Sequence, residues 1–226
     1  MALLQEETVL AEMTLNIKKT HSERLMPLVD TLLKESGTGR EDLGGVAASA
    51  GPGSFTGLRI GVATARGLAQ GLNIPAVPVC TLQAMAEAVP TPGTLVCPLL
   101  DARRSQVYTA LYRRGREEPH FLKPLIEPAA MPLAELTAGL KAYGEAVVFT
   151  GEGLQSYAAD LKESLANHAV LPAAPFRLCR AALVALRGRA LLAANPKASY
   201  LELLPSYLRR PEAERKAAEK KHEAEE

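Results

Sequence analysis

The residues that most strongly suggest a chemical role lie in a glycine-rich segment, residues 50–75, which reads AGPGSFTGLRIGVATARGLAQGLNIP. Glycine-rich turns before a helix can bind phosphate, because backbone amides and the helix N-terminus then face the anion. A Walker loop would continue from Gly57 with lysine, but Leu58 stands there and the segment contains no lysine. A dinucleotide-binding fingerprint fails because one residue too many separates its last two glycines, and Pro52 lacks an amide donor. The segment therefore matches neither of these phosphate-binding motifs.

Close packing is the alternative explanation for these glycines. The sequence predicts a helix over residues 55–72 with Ser54 as its capping residue. Each glycine costs about 1 kcal/mol relative to alanine inside a helix, so a compensating packing gain is expected. The helix would present a low face made of Gly57, Gly61, Thr64, Ala65 and Leu68. Its polar residues fall on one narrow stripe, Arg59, Arg66 and Gln70. Such a helix is covered on two sides, either within its own domain or by its own sheet and a partner.

Histidines and cysteines, the other candidates for chemistry, show no ligand spacing. The histidines are His21, His120, His168 and His222, and the cysteines are Cys80, Cys97 and Cys179. The cysteines are widely separated, which predicts reduced core thiols and no disulfide framework or zinc site. His21 opens a predicted helix, but no nucleophile or carboxylate accompanies it in a motif. A capping or interface role is therefore favoured over catalysis.

The composition indicates a globular chain with a large core. It has 226 residues, of which 47% are hydrophobic, enough for one large domain or two small ones. The net charge of +1 argues against a chain-wide basic surface for nucleic acid. Glu6 and Glu7 interrupt the N-terminal apolar run too early for a secretory signal, and no run is long enough to span a bilayer. We therefore expect a cytoplasmic protein without membrane association.

The first part of the chain predicts a β-α-β arrangement around the glycine-rich helix. Residues 8–16 alternate as a half-buried strand does, and residues 46–50 and 76–79 predict buried strands on either side of the helix. The helix predicted from residue 21 to 35 carries two apolar stripes, where one amphipathic face would need only one. One stripe is Leu25, Leu28 and Leu32, and the other is Met26, Val29 and Leu33.

The second part of the chain repeats this pattern more weakly, which predicts a duplicated α/β fold. Strands are expected over residues 94–100, 106–112, 120–125 and 147–150, and helices over residues 132–143, 153–165 and 176–194. The predicted units are a first lobe (1–90), a second lobe (91–175), a helical segment that packs back on the first lobe (176–208) and a charged tail (209–226). The tail is typical of a solvated helix or a disordered segment.

Three segments together resemble the TsaB (YeaZ) family of bacterial accessory proteins for threonylcarbamoyladenosine formation in transfer RNA. They are THSERLMPLVDTLLKESG, AGPGSFTGLRIGVATARGLAQGLNIPAVPVCTLQAMAEA and LLDARRSQVYTALYRR, and the likeness runs from about residue 2 to residue 210. The resemblance implies the fold of the actin, sugar-kinase and Hsp70 superfamily (the ASKHA fold). It also implies a non-catalytic paralogue of the TsaD enzyme, which transfers a threonylcarbamoyl group to adenosine 37 of transfer RNAs that read codons beginning with A.

The resemblance further implies the partners and the absence of a catalytic centre. The expected partner is a TsaD-like catalytic subunit in a heterodimer, joined by a TsaE-like ATPase, with transfer RNA contacted only indirectly. Catalytic relatives carry a His-x-x-x-His metal pair, and the matching positions here are Thr81 and Met85, which are poor metal ligands. No catalytic, cofactor or metal residues are therefore expected.

The beginning of the chain departs from the family pattern. Members usually start with a strand of the type Leu-Ala-Leu-Asp-Thr-Ser, whereas this chain starts with Met-Ala-Leu-Leu and continues into the region of the second strand. Either the start of this sequence is truncated or misannotated, or the N-terminal half is abnormal. In these residues the first strand of the fold is then missing, and we expect its neighbouring strands to lose ladder partners.

The helix stripes and the resemblance together predict a partner surface. If each of the two N-terminal helices uses one face on its sheet and the other on the partner, the subunits form a four-helix contact. The predicted contact residues are His21, Arg24, Leu25, Leu28, Leu32, Arg59, Val62, Ala63, Arg66 and Gln70. A weaker homodimer through the same surface is expected when the partner is absent.

Two enzymes remain as alternatives to a scaffold. The first is a nucleotide-binding ATPase or kinase-like enzyme of the same superfamily, with residues 151–153 near adenosine and Asp101 near phosphate. Those glycines are more often explained by a simple strand-to-helix turn, which is therefore the favoured interpretation. The second is a peptidase, for which the sequence offers no metal pair and no catalytic triad.

Overall fold

The computed structural model describes residues 1–15, 21–116 and 122–209, with only the backbone of residues 21 and 22. His120, His222 and nearly all of the predicted tail lie outside the described residues. The sequence also offers Thr20 or Ser22 as the cap of the helix predicted from residue 21, but Thr20 and the side chain of Ser22 lie outside the described residues as well.

The first half of the chain contains a hairpin followed by a β-α-β unit. Its elements are β1 (Ala2–Gln5), β2 (Thr8–Glu12), α1 (His21–Ser36), β3 (Val46–Gly51), α2 (Phe55–Leu72), β4 (Ala76–Cys80) and α3 (Thr81–Ala86). β1 and β2 are antiparallel, and β3 and β4 are parallel, which confirms the predicted β-α-β unit.

Two expectations for the hairpin were wrong. β1 was not predicted, and β2 ends at Glu12, well before residue 16. The ladder pairs Ala2 with Glu12, and Met13 and Met1, just outside the two strands, exchange backbone hydrogen bonds. Thr14 and Leu15 pair with no strand in the described part of the chain.

The second half forms one five-stranded sheet in the order β7-β6-β5-β8-β9. Its elements are β5 (Leu95–Arg103), β6 (Gln106–Arg114), β7 (Leu122–Pro132), α4 (Leu133–Lys141), β8 (Val147–Thr150), α5 (Leu154–Leu165), β9 (Ala169–Val170) and α6 (Ala181–Ala194). β7 is longer than predicted because it pairs with β6 as far as Pro132 opposite Gln106. The short strand β9 was not predicted.

The final helix also differs from its prediction over residues 176–194. Ala174–Phe176 form a separate 3-10 turn, and α6 begins only at Ala181. The Glu12 carboxylate of β2 accepts a hydrogen bond of 3.1 Å from the Ala182 amide, which is otherwise unpaired at the helix N-terminus. A contact between residues 170 positions apart therefore fixes where α6 begins.

The two halves exchange contacts through their last helices. α3 packs against β5, β6 and β7 as well as β3 and β4 of its own half, while α6 packs against β1, β3 and β4. Next to this exchange, the guanidinium of Arg114 on β6 donates to Glu87 Oε2 at 2.7 Å, and Arg187 of α6 lies 3.5 Å from Glu87 Oε1. Only 2% of the side-chain surface of either Arg114 or Glu87 is exposed. A buried ion cluster therefore connects β6, the end of α3, and α6.

Candidate partner-binding surface and interlobe cleft

The helix α2 has one face inside the protein and one outside. Its buried residues are Leu58, Val62, Ala65 and Ala69, which follow a helical stripe towards β3 and β4. On the opposite side Arg59, Ala63 and Gln70 are exposed, and Arg66 is half-buried. The structure therefore brings four of the five predicted α2 contact residues to the outer side.

Val62 and Leu32 require a correction, because neither can present its side chain on the surface of this chain. Val62 is 3% exposed and packs with Ala69 and Leu203, since its position coincides with the inward stripe of α2. Leu32 is 5% exposed on α1. Both residues therefore belong to the chain's own core.

The remaining α1 residues are placed unevenly. Arg24 is exposed and Leu25 and Leu28 are half-buried, whereas the side chain of His21 is outside the described residues. Met26 belongs to the other stripe, which is not part of the predicted partner surface, yet it is 50% exposed. The two stripes of α1 therefore do not separate into an inner and an outer face as predicted.

The glycines of α2 are not explained by packing within the chain. A Cβ atom at Gly61, Gly67 or Gly71 would meet no described atom within 4 Å outside its own helical neighbourhood. Their low profile therefore leaves open space beside the helix, although the accumulation of glycines predicted a packing role for them.

Phe55, Arg59 and Tyr207 form an exposed cluster that sequence reasoning missed. The Arg59 guanidinium lies 4.0 Å from the centroid of the Phe55 ring, and its Nε donates to the Tyr207 hydroxyl at 3.0 Å. The two rings are 5.1 Å apart. Phe55 could have been found from its spacing of one turn from Arg59, but Tyr207 lies 148 residues away and gives no local signal. The cluster holds the arginine in place at the head of α2.

The glycine-rich turn before α2 is built for close backbone approach and capping. Ser54 is the N-cap residue of α2 and its hydroxyl accepts from the Gly57 amide at 3.4 Å, which confirms the predicted cap. Gly51 has φ of +131°, and a Cβ there would overlap the backbone oxygen of Ser206. This turn therefore packs against the chain's own C-terminal segment.

A cavity of about 300 Å³ lies behind this turn, in the cleft between the two halves. Its walls include Leu15, Ser49, Gly53, Thr81 and Glu152. Glu152 is the one charged side chain among the described lining residues. A carboxylate in this position repels phosphate groups, and the described lining residues provide no positive charge for nucleotide phosphates.

Thr81 and Met85 stand at the positions matched to the histidine pair of catalytic relatives. Thr81 Oγ1 shares a hydrogen bond of 2.6 Å with Ser49 Oγ, and Met85 is fully buried. Hydroxyl groups and a buried thioether are weak ligands for a catalytic divalent ion. In the described part of the chain, no three His, Cys, Asp or Glu side chains come close enough to form a metal site.

The residues named for the ATPase alternative have structural partners. A Cβ on Gly151 or Gly153 would collide with the Leu99 backbone, and the Gly153 amide donates to Leu99 O at 3.0 Å. Asp101 Oδ1 accepts from the Arg103 amide at 2.7 Å and from the Tyr157 hydroxyl at 3.2 Å. The glycines therefore serve a close approach between the turn after β8 and strand β5.

The three cysteines do not share one environment, and the expectation of core thiols holds for Cys97 alone. Cys97 is fully buried, and burial raises the pKa of its thiol to about 12, with an opposing hydrogen bond to Thr109. Cys80 is half-buried and Cys179 is exposed.

In the described residues no helix is both long and apolar enough to cross a membrane.

The repeated α/β pattern and the exchanged helices α3 and α6 define a duplicated α/β protein of the ASKHA class. A family model described as TsaD: tRNA N6-adenosine threonylcarbamoyltransferase matches residues 8–217. The tRNA threonylcarbamoyladenosine biosynthesis protein TsaB of Bacillus subtilis (strain 168) is 35% identical over 215 residues, covering 95% of this chain and 91% of that protein. The chain belongs to the TsaB (YeaZ) family.

Further similarities agree with this assignment. TsaB of Escherichia coli (strain K12) is 40% identical over 134 residues, covering 55% of this chain and 58% of that protein. The solved structure of YeaZ from Pseudomonas aeruginosa superposes with a TM-score of 0.74 at 26% identity, covering 92% of each chain. A crystal structure of a protein from the same organism, described as similar to peptidase YEAZ, gives a TM-score of 0.74 at 28% identity, covering 92% of this chain and 93% of that one.

Proposed function

We propose that this protein acts in tRNA threonylcarbamoyladenosine biosynthesis as a non-catalytic scaffold subunit. In this proposal it forms a heterodimer with a TsaD-like catalytic subunit in the cytoplasm, and a TsaE-like ATPase joins the pair. Transfer RNA is contacted through the partner. The names of the similar TsaB proteins support the process, and the α1–α2 surface supports the scaffold role.

The observation that carries the proposal is the open space beside Gly61, Gly67 and Gly71. Glycine weakens a helix by about 1 kcal/mol per position relative to alanine, and no contact within the described chain offsets that cost here. A helix from a second protein that packs closely on α2 would require such a low surface. The glycines are therefore explained by a contact outside the chain.

The neighbouring side chains suit a protein interface. Arg59 is held between Phe55 and Tyr207, so less side-chain entropy is lost when a partner binds it. Aromatic residues and arginine contribute most often to the energetic centre of interfaces. We therefore revise the predicted surface by removing Leu32 and Val62 and adding Phe55 and Tyr207.

The cleft supports the non-catalytic part of the proposal. Ser49 and Thr81 share a hydrogen bond between their hydroxyl groups, and Glu152 gives the cavity negative charge. These features oppose the ATPase alternative, for which nucleotide titration of the isolated protein is the direct measurement. We expect no ATP turnover by the protein alone; partner-free turnover would contradict the scaffold role.

The proposed interface is tested with Ala63→Glu. Ala63 is exposed in the centre of the outer side of α2, so glutamate should leave the fold intact and place an unpaired charge in the contact. Ala138→Glu on α4 is the matched control, because Ala138 is an exposed helical alanine in the other half.

Both variants are mixed with the TsaD-like subunit of the same cell and analysed by size-exclusion chromatography and circular dichroism. We expect Ala63→Glu to fold normally and to lose complex formation, and Ala138→Glu to retain it. A folded Ala63→Glu protein that still forms the complex would place the interface elsewhere. Loss of complex by both variants would show that the charge acts non-specifically.

A further inference from the structure

The segment of residues 203–209 follows α6 and lies on the first half of the chain. Leu203 is fully buried in a cluster formed with residues of α2 and β4. The Ser206 amide donates to Ala50 O, near the end of β3, at 2.7 Å. Contacts with one helix and two strands therefore fix this segment on the first half.

The fit of the segment on the first half is close. A Cβ on Gly51 would overlap the Ser206 oxygen, so the two backbones touch with no space for a side chain between them. One residue further along, the centroid of the Tyr207 ring lies 5.1 Å from that of Phe55, and the Tyr207 hydroxyl accepts from Arg59 at 3.0 Å. Several contacts therefore hold this end of the segment together.

The other end of the segment contacts the second half. Arg209 Nη1 donates to Ala102 O at 3.1 Å. Ala102 lies on β5, where the pairing with β6 is shifted between Asp101 and Arg103. An irregularity of this kind releases a backbone group from the ladder, and here the Ala102 oxygen accepts from the arginine. A hydrogen bond from a half-buried side chain is individually weak, so this contact can break while both halves remain folded.

The two ends of the segment lie beside different walls of the cavity in the cleft. On the first half, Ala50 stands between the lining residues Ser49 and Pro52. On the second half, Ala102 lies two residues beyond the lining residue Leu100. The segment therefore connects one wall of the cavity to the other.

The two halves are also connected by packed helices. Thr81 and Met85 of α3 line the same cavity, as do residues 178–179 just before α6. Both helices pack against strands of the opposite half or of both halves. Buried helix packing separates less readily than one hydrogen bond, so the Arg209 contact is the part of this connection that opens first.

We propose that residues 203–209 form a strap that holds the interlobe cleft closed. The strap stays fixed on the first half through Leu203, Ser206 and Tyr207. When the Arg209 hydrogen bond breaks, the second half is released and the two halves hinge apart about α3 and α6. The strap is a property of the isolated chain and does not rest on the proposed function.

The test uses the full chain alone and measures how often the cleft opens. Cys80 and Cys179 are replaced by alanine, and Leu100→Cys introduces a thiol into the cavity wall, where Leu100 is 6% exposed. The reaction of this thiol with N-ethylmaleimide, followed by mass spectrometry, reports the open fraction, because a covered thiol reacts only when it becomes accessible. The native Cys97 is fully buried in the core of the second half and serves as the internal reference for global unfolding.

Two variants of this labelled protein release opposite ends of the strap. Arg209→Met removes the donor to Ala102 O, and Ser206→Pro removes the amide that donates to Ala50 O. Arg103→Met is the matched control, since it removes an exposed arginine next to Ala102 and leaves the Arg209 hydrogen bond in place. Circular dichroism checks that each variant is folded.

We expect the Leu100→Cys thiol to react about fivefold faster after Arg209→Met, which is the effect of one ordinary hydrogen bond on an opening equilibrium, and at least as much faster after Ser206→Pro. The rate at Cys97 and both rates in the Arg103→Met control should stay unchanged.

An unchanged Leu100→Cys rate in either folded strap variant would overturn the proposal, because a strap needs both of its ends. Equal acceleration at Cys97 would show a loss of global stability, and equal acceleration by Arg103→Met would show an effect of charge on the thiol; both outcomes contradict the strap. A thiol that reacts as fast as a free thiol while the strap is intact would show that the cleft is already open, again against the proposal.

Discussion

Glu12 shows at the scale of one residue how distant parts of the chain are joined. Its carboxylate accepts from the Arg180 guanidinium and from the Ala182 amide at the N-terminus of α6, where a negative charge is also favoured by the helix dipole. Burial acts to raise the pKa of Glu12, but the hydrogen bonds from Arg180 and Ala182 outweigh it, and the pKa lies below its ordinary value of 4.5. The ionised form of Glu12 therefore stabilises the fold.

This shift predicts a pH dependence of stability. Because the folded-state pKa is lowered, the contribution of Glu12 is complete above the unfolded value of 4.5 and disappears as the pH falls through the folded value. At neutral pH we expect Glu12→Gln to be less stable than the wild type by about 1 kcal/mol, and this difference should shrink as the pH falls below 4.5 and through the lowered folded-state pKa. Urea unfolding at a series of pH values measures both.

Glu7→Gln is the control for the Glu12 experiment. Glu7 lies on the same hairpin and pairs with Arg189, but 78% of its side-chain surface is exposed. Exposed pairs contribute little, so this variant should differ by a few tenths of a kcal/mol at most. An equal loss from both variants at neutral pH would mean that the cap on α6 contributes nothing specific.

At the scale of one element, α2 carries two different requirements on its two sides. The inner side packs Leu58, Val62 and Ala69 against the chain's own strands and C-terminal segment. The rest of its surface carries Ala63, the ordered Arg59 and glycines that border open space. The helix therefore retains residues that reduce its own stability where its own core does not need them.

Gly67→Ala separates these two requirements. Because a Cβ there meets open space, alanine should stabilise the isolated protein by up to about 1 kcal/mol. On the proposed interface the same methyl group should weaken binding of the TsaD-like subunit by at least about tenfold. Thermal unfolding and titration calorimetry measure the two effects.

Gly139→Ala on α4 is the matched control, since Gly139 is also helical and open. It should give a similar gain in stability and leave binding unchanged. Unaltered binding by Gly67→Ala together with the expected gain in stability would argue against close packing at this end of α2.

At the scale of the whole molecule, the exchanged helices and the buried ion cluster join the two halves. The Arg114 guanidinium also donates to the carbonyl oxygens of Ala86, Glu87 and Val89, so it caps the end of α3. The single negative charge of Glu87 faces the guanidinium groups of both Arg114 and Arg187 in the same place. The Glu87 carboxylate at the end of α3 therefore contacts arginines from both β6 and α6.

Glu87→Gln should consequently be far more damaging than Arg187→Gln. Removing the carboxylate charge leaves the buried Arg114 uncompensated, which costs about 3–5 kcal/mol. Arg187 retains 22% exposure of its side chain, and its replacement should cost about 1 kcal/mol. Urea unfolding at neutral pH compares the two variants. Equal losses would show that the cluster does not depend on Glu87.

The sequence by itself determined the local elements whose signals are contained within a few turns. The 55–72 bounds of α2, its Ser54 cap and the parallel strands around it follow from periodicity, capping chemistry and glycine placement, and they agree with the structure. The resemblance carried by the GPGSFTGLRIG segment gave the family.

The tertiary structure decided the rest, because the reasons lie in contacts between residues that are far apart in the chain. Val62 and Leu32 are core residues because of the strands and segments they meet, α6 begins where Glu12 reaches it, and Arg59 is ordered by Tyr207. Periodicity shows that a residue has a face to cover, but only packing decides what covers it.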